Sequence, residues 1–224
     1  MTAVTTTTEA PGERGIARWS ALGGILYVVL FVVGGLLLFD GPTGDESPAR
    51  YLDYYGQGGH RDRAGVGWVL AMLGVLALIW FLARLRDVVA SYGMPFLSSV
   101  VFVGGTVYAA MTGVALSLRL GTATMSDDTL AHTVYPAVIH GGSDAAYVIH
   151  AAGGVGAASF IIAASLAAMR AGRISSVVGW IGIVLGVLAL FSLLFFPMLA
   201  IAIWLVVAGI LLLREPSARE VVTT

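Results

Sequence analysis

Six stretches of the chain run free of Asp, Glu, Lys and Arg: 19–39, 64–83, 95–118, 145–169, 174–196 and 197–213. At about 1.5 Å rise per residue, each is long enough as a helix to cover most or all of a hydrocarbon layer about 30 Å thick. The apolar residues are continuous along these stretches and do not alternate. In lipid, each peptide group must then find its hydrogen bond within its own segment, so the pattern predicts helices. The first stretch follows Arg14 and Arg18 and has a signal peptide as its rival reading. It is too long for that, and it ends in Phe39-Asp40-Gly41-Pro42 without a small-residue cleavage pattern. Between the fifth and sixth stretches almost nothing intervenes, so Phe195-Phe196-Pro197 is expected to form a tight turn with Pro197 at the first helical position. A single half-spanning hairpin is the alternative there.

The connections carry their own pattern. Both loops on one side are about two dozen residues long and contain a helix-start signal, Ser47-Pro48 in one and Ser126-Asp127-Asp128 in the other. Tyr51, Leu52, Tyr54 and Tyr55 after the first, and Leu130 and Val134 after the second, give each short helix one apolar face suited to the membrane surface. Arginine placement orients the whole. Arg14, Arg18, Arg84, Arg86, Arg170, Arg173, Arg214 and Arg219 fall on one side of a six-crossing topology, and Arg50, Arg61, Arg63 and Arg119 on the other. The richer side is cytoplasmic by the positive-inside rule. The expected architecture is therefore an all-α polytopic transmembrane bundle of six helices, both termini cytoplasmic, with two short interfacial helices on the outer face. The membrane domain covers 14–214, a disordered tail 1–13 precedes it, and a short tail 215–224 follows. Helices one and two echo helices three and four in their inner ends, a weak sign of an internal repeat.

Composition agrees with the pattern and narrows the function. The chain is 58% hydrophobic and 11% charged, with a mean hydropathy of +0.91, a balance that exposes too much apolar surface for water to be its solvent. Its net charge of −1, with arginines in ones and twos, supplies no basic field, so nucleic acid is not an expected partner. Without cysteine there is no thiolate nucleophile, disulfide or cysteine metal site. All twelve basic residues are arginine, and with heavy Ala, Gly and Val usage this reads as a GC-rich bacterial genome. Small residues mark packing faces: Gly23, Gly24, Gly34 and Gly35, then Gly104 and Gly105, then Gly153, Gly154 and Gly156, then the Gly182-xxx-Gly186 pair.

One polar constellation stands out. His140, Asp144, Tyr147 and His150, with Ser143 beside them, recur at helical spacing where the fourth crossing begins. His140 and Asp144 would be metal ligands if a carboxylate such as Asp40 or Asp62 joined them. Asp144 and His150 would form a proton relay in a small transporter. The plain alternative is a solvated helix start, with His150 bonded across the bundle. Arg50, His60, Arg61, Asp62 and Arg63 invite an anion-binding reading beside that of a solvated loop. No Walker loop, dinucleotide fingerprint, HExxH helix or nucleophile elbow occurs, so neither a cofactor nor a bound metal is expected.

Tyr54-Tyr55 followed by His60-Arg61-Asp62-Arg63, Trp80-Phe81-Leu82 before Arg84, and Gly179-Trp180-Ile181-Gly182 together give the chain a recognisable outline. Over nearly its whole length it resembles a broad family of uncharacterised six-helix membrane proteins from GC-rich bacteria. The resemblance implies topology and transfers no catalytic residue. The expectation is a non-enzymatic, multi-pass protein of the bacterial inner membrane. Its partners would be the lipid bilayer and, through small-residue faces, a second copy or another membrane protein. A small-molecule or proton-coupled transporter is the second reading, and a metal-dependent membrane hydrolase with an outer-face site the third.

Overall fold

The computed structural model of the chain describes residues 11–42, 46–126, 136–194 and 196–214. Within them the order is α1 Pro11–Leu38, α2 Pro48–Gly56, α3 Gly58–Ser91, α4 Pro95–Thr124, α5 Pro136–Ala152, α6 Gly154–Arg170, α7 Ser176–Ala189, a 3-10 turn Ser192–Leu194, and α8 Phe196–Arg214. No strand occurs among the described residues. Five helical spans are long and apolar enough to cross a membrane: Trp19–Leu38, Gly58–Ser91, Pro95–Thr124, Ala137–Arg170 and Phe196–Arg214.

The long helices form a closed ring. α1 packs on α3, α3 on α4, α4 on α6, α6 on α7 and α7 on α8, and α8 returns to α1. α5 continues into α6 through Gly153 and lies against α4, while α2 lies across α3, α4 and α5 at one end, called here the α2 end. Close approach depends on glycine at two crossings. A Cβ on Gly34 would stand 2.5 Å from the Gly67 carbonyl oxygen, and one on Gly67 would stand 2.6 Å from that of Gly34. Gly104 and Gly156 oppose each other in the same way across α4 and α6, at 2.8 and 2.5 Å. The two crossings lie at different depths, Gly34 near the last turns of α1 and Gly104 near the first turns of α4.

Gly179, Gly182 and Gly186 are all buried where α7 meets α6, against Met169, Ser165 and Ile162. The small-residue pair therefore joins helices of one chain. Inside the ring an aromatic column crosses from α1 to α8. Tyr27 and Tyr108 have ring centroids 6.2 Å apart, Tyr108 and Phe160 6.1 Å, and Phe160 and Trp204 5.5 Å. Large apolar side chains such as Leu36, Leu76, Trp80, Val114, Trp180 and Ile203 face outward, a surface stable only in an apolar solvent.

Three expectations change in detail. First, α3 extends well past both ends of 64–83, and α4 past 118. Apolar length measures the hydrocarbon layer, and a helix with its backbone satisfied continues beyond it through charged turns. Second, the stretch 174–196 is broken. α7 is 14 residues long, about 21 Å, and stops at Ala189. Beyond it the backbone ladder tightens, with the Leu190, Phe191 and Leu194 N–H groups donating to the Val187, Leu188 and Phe191 carbonyls, and the Ser192 hydroxyl donates to the Ala189 carbonyl at 2.6 Å. Third, α1 already begins at Pro11, a residue suited to a first helical turn. The interfacial helix expected after Ser126-Asp127-Asp128 and the tail 215–224 lie outside the described residues, as does most of the tail 1–13. At the end opposite α2, Gly93 and Gly172 close α3 and α6 with φ of 76° and 66°, left-handed values that glycine adopts without strain.

Candidate anion site at the α2 end

The four residues singled out on the fourth crossing separate. His140 and Asp144 stay together, with Nε2 3.5 Å from Oδ2 one helical turn away and Asp144 largely exposed. Tyr147 leaves the group, its hydroxyl donating to the Leu193 carbonyl at 2.5 Å and tying α5 to the 3-10 turn. His150 points into the ring, where its imidazole stacks on Phe31 with centroids 5.6 Å apart and lies 6.2 Å from Tyr108. Tyr108 in turn shares a 2.8 Å hydrogen bond between hydroxyls with Tyr27. Directly after His150 comes the break at Gly153, whose N–H is shared between the Ile149 and His150 carbonyls.

Most charged residues of the first loop pair with one another or with its backbone, while Asp62 is exposed. Arg63 pairs with Asp40 at 2.5 Å, and Arg50 contacts Asp53 at 3.1 Å and Glu46 at 3.4 Å. Arg61 donates to the Tyr55 and Gly56 carbonyls at 2.7 and 3.1 Å, closing the last turn of α2. Tyr54 donates to the Asp40 carbonyl at 2.6 Å and stacks on His60 at 3.8 Å. These contacts fix α2 as a cover over the bundle, with Tyr51 and Tyr55 facing inward at 0% and 1% exposure. Burial pushes the Tyr54 and Tyr55 phenols above their ordinary value; for Tyr54 the Asp40 carboxylate adds to it, and for Tyr55 the Arg119 cation opposes it. Asp40 is thus committed to Arg63. Among the described residues no three His, Cys, Asp or Glu side chains converge as metal ligands, so the hydrolase reading lacks a third ligand.

Beneath the cover sits a residue that the sequence offered only as a topology marker. Arg119, on the penultimate turn of α4, is 5% exposed. One of its Nη groups donates to Ser143 Oγ on α5, and its guanidinium carbon lies 5.4 Å from the Phe39 ring and 5.9 Å from that of Tyr51. It has no carboxylate partner among the described residues, and its Nε has no hydrogen-bond partner there either. Tyr51 Oη and His140 Nδ1 are likewise buried and unpartnered, and their rings are 5.7 Å apart, edge to face. Thr122 and Ser126 spend their hydroxyls on backbone carbonyls of α4, so they do not serve the guanidinium.

Arginine does not lose its proton in proteins, so this charge must be met and cannot be neutralised by titration. The donors converging here are a cationic fork and a phenol, with an imidazole that donates through Nδ1 when doubly protonated. That set suits a carboxylate or phosphate oxygen. A sequence signal did exist: after Arg119 the chain stays uncharged through Ser126, so α4 carries the arginine a turn inside its apolar run.

Among the described residues the chain is an all-helical bundle with five helices long and apolar enough to cross a membrane and a buried cation at one end. No family model, curated protein or solved structure matches the chain.

Proposed function

We propose that the protein is a non-enzymatic, six-crossing protein of the bacterial inner membrane that binds a small carboxylate- or phosphate-bearing molecule at Arg119 and acts as its carrier. The observation that carries this reading is the buried guanidinium without a carboxylate counter-charge among the described residues, flanked by two unpartnered polar atoms. Ser143 and the Phe39 and Tyr51 rings offset the desolvation of this cation without supplying a counter-charge, so an anionic ligand completes the site. The carrier reading draws on the layout below the site. His150, Tyr108 and Tyr27 continue polar groups inward from Arg119, and ionisable or hydrogen-bonding groups inside a bundle of apolar helices are where substrate paths run. A partner-docking role has less support, because the glycine faces that would serve it are used within the chain.

In this reading α7 and its 3-10 turn make the fifth crossing, both termini are cytoplasmic, and the α2 end is outside, in keeping with the arginine distribution. Binding is tested on the purified protein with a panel of small carboxylates and organic phosphates. At least one compound should raise the unfolding temperature of the wild type and leave Arg119→Gln unmoved, and proteoliposomes should accumulate that compound only with the wild type. A panel that stabilises both proteins equally, or that moves neither, defeats the proposal. Reporters fused near Gly58 and Ala171 should report opposite compartments.

A further inference from the structure

At the end of the bundle opposite α2, a cleft of about 480 Å³ opens between α7 and α8, floored by α3 and α6. Its size falls in the range of ligand pockets, roughly 300–1,000 Å³. Its walls are apolar over most of their length, with Leu85, Ile181, Ile203 and Leu211 among them. Among the described residues the charged ones lining it are Arg173, midway along the loop that joins α6 and α7, and Arg214, the last residue of α8. Arg173 sits 5.5 Å above the Tyr92 ring, which also lines the cleft. At the deep end Trp204 donates through its indole N–H to Ser165 Oγ at 3.0 Å, so neither polar atom is left for an apolar guest to bury.

The length of the cleft identifies its occupant. Along α8 it runs from Arg214 to Ile203, eleven residues, or about 16 Å at helical rise. One leaflet of hydrocarbon is about half of 30 Å deep. The length of the cleft therefore matches one leaflet, with the arginines at the end that a headgroup would occupy. A pocket for a soluble molecule has no reason to match that depth, and while topology alone places arginines on this side of the bundle, these two line one cleft mouth, where a single anionic headgroup would meet both. We infer that this cleft is a specific site for one anionic phospholipid, its phosphate held by Arg173 and Arg214 and an acyl chain lying between α7 and α8. The site is separate from Arg119, at the other end of the bundle, and does not depend on the carrier reading.

The test uses the full chain purified in detergent and then exchanged into nanodiscs of phosphatidylcholine and phosphatidylglycerol in equal amounts. Native mass spectrometry, after the discs are removed, reads which lipid is retained. The wild type should keep one phosphatidylglycerol per chain, preferred over phosphatidylcholine by about tenfold or more, as two interfacial cations imply. Arg173→Gln/Arg214→Gln should lose the preference, and the Lys/Lys variant should keep it. Ala208→Trp, which fills the cleft and leaves both arginines, should lose the bound lipid with either headgroup. Dodecyl phosphate should displace the lipid, whereas inorganic phosphate should not. Equal retention of both lipids, an undiminished preference in the Gln/Gln variant, or release by inorganic phosphate alone would each overturn the assignment. The far-UV circular dichroism of every variant is compared with the wild type, and the Lys/Lys protein keeps the test decisive if the Gln/Gln protein does not fold.

Discussion

Replacing Arg119 with Met tests the central argument, because methionine keeps most of the length and removes the charge. The guanidinium is 5% exposed, and taking a lone ion this far out of water costs several kcal/mol. Offsetting that cost are the hydrogen bond to Ser143, about 1.5–3 kcal/mol for a charged donor, and the contacts with the Phe39 and Tyr51 rings, about 1 kcal/mol each. The opposing contributions nearly cancel, so ligand-free Arg119→Met should lie within about 2 kcal/mol of the wild type. Ligand separates the two proteins. At a hundred times its Kd a ligand should add about 2.7 kcal/mol to the wild type and nothing to the variant. Reversible unfolding in mixed micelles, titrated with SDS with and without ligand, measures both quantities. Equal ligand stabilisation of the two proteins refutes the reasoning. So does a ligand-free loss of about 3–5 kcal/mol, which is the signature of breaking an existing buried pair. That loss would mean that a protein carboxylate already neutralises Arg119.

Three further perturbations probe the fold around the site. Gly67→Val drives a branched side chain into the Gly34 carbonyl, where even a Cβ would sit 2.6 Å away; it should destabilise the bundle by about 1–3 kcal/mol or more in the same unfolding assay. Tyr147→Phe deletes only the bond to Leu193 and should cost about 0.5–1.5 kcal/mol while leaving ligand stabilisation intact, marking Tyr147 as an anchor outside the site. Tyr54 and Tyr55 should ionise later than free tyrosine when absorbance at alkaline pH is compared with the Tyr54→Phe and Tyr55→Phe proteins. Because their folded values are raised above 10.0, the folded state retains protons that the unfolded chain gives up. Their contribution to stability is thus full below pH 10 and declines as pH climbs from there through the folded values.

What could be read in the sequence, and what could not, divides along physical lines. Apolar runs report directly on the solvent, so five of the six expected spans and the short helix α2 were legible from length and from Ser47-Pro48 alone. Helix ends were not, because Arg61 and the Gly93 and Gly172 turns, rather than loss of hydrophobicity, decide where helices start and stop. The break after Ala189, where the backbone ladder tightens to three-residue bonds, has no mark in the apolar pattern. At the site, spacing placed His140 and Asp144 on one face correctly, since both belong to one helix. It could not see that Tyr147 turns to Leu193, nor that Arg119 on α4 faces Ser143, because these meetings join helices far apart in the chain.

The closed ring also sets an order of assembly. α1 leaves the ribosome first and α8 last, yet the two are neighbours: Gly209 lies against Ala21 and Ile25, and Gly24 against Leu205. Throughout translation, then, one flank of α1 has only lipid to touch, and Ser165 waits for the Trp204 indole. A nascent chain stalled before Phe196 should therefore be an open arc of helices, recognisable to membrane quality control by the seam it has not yet sealed.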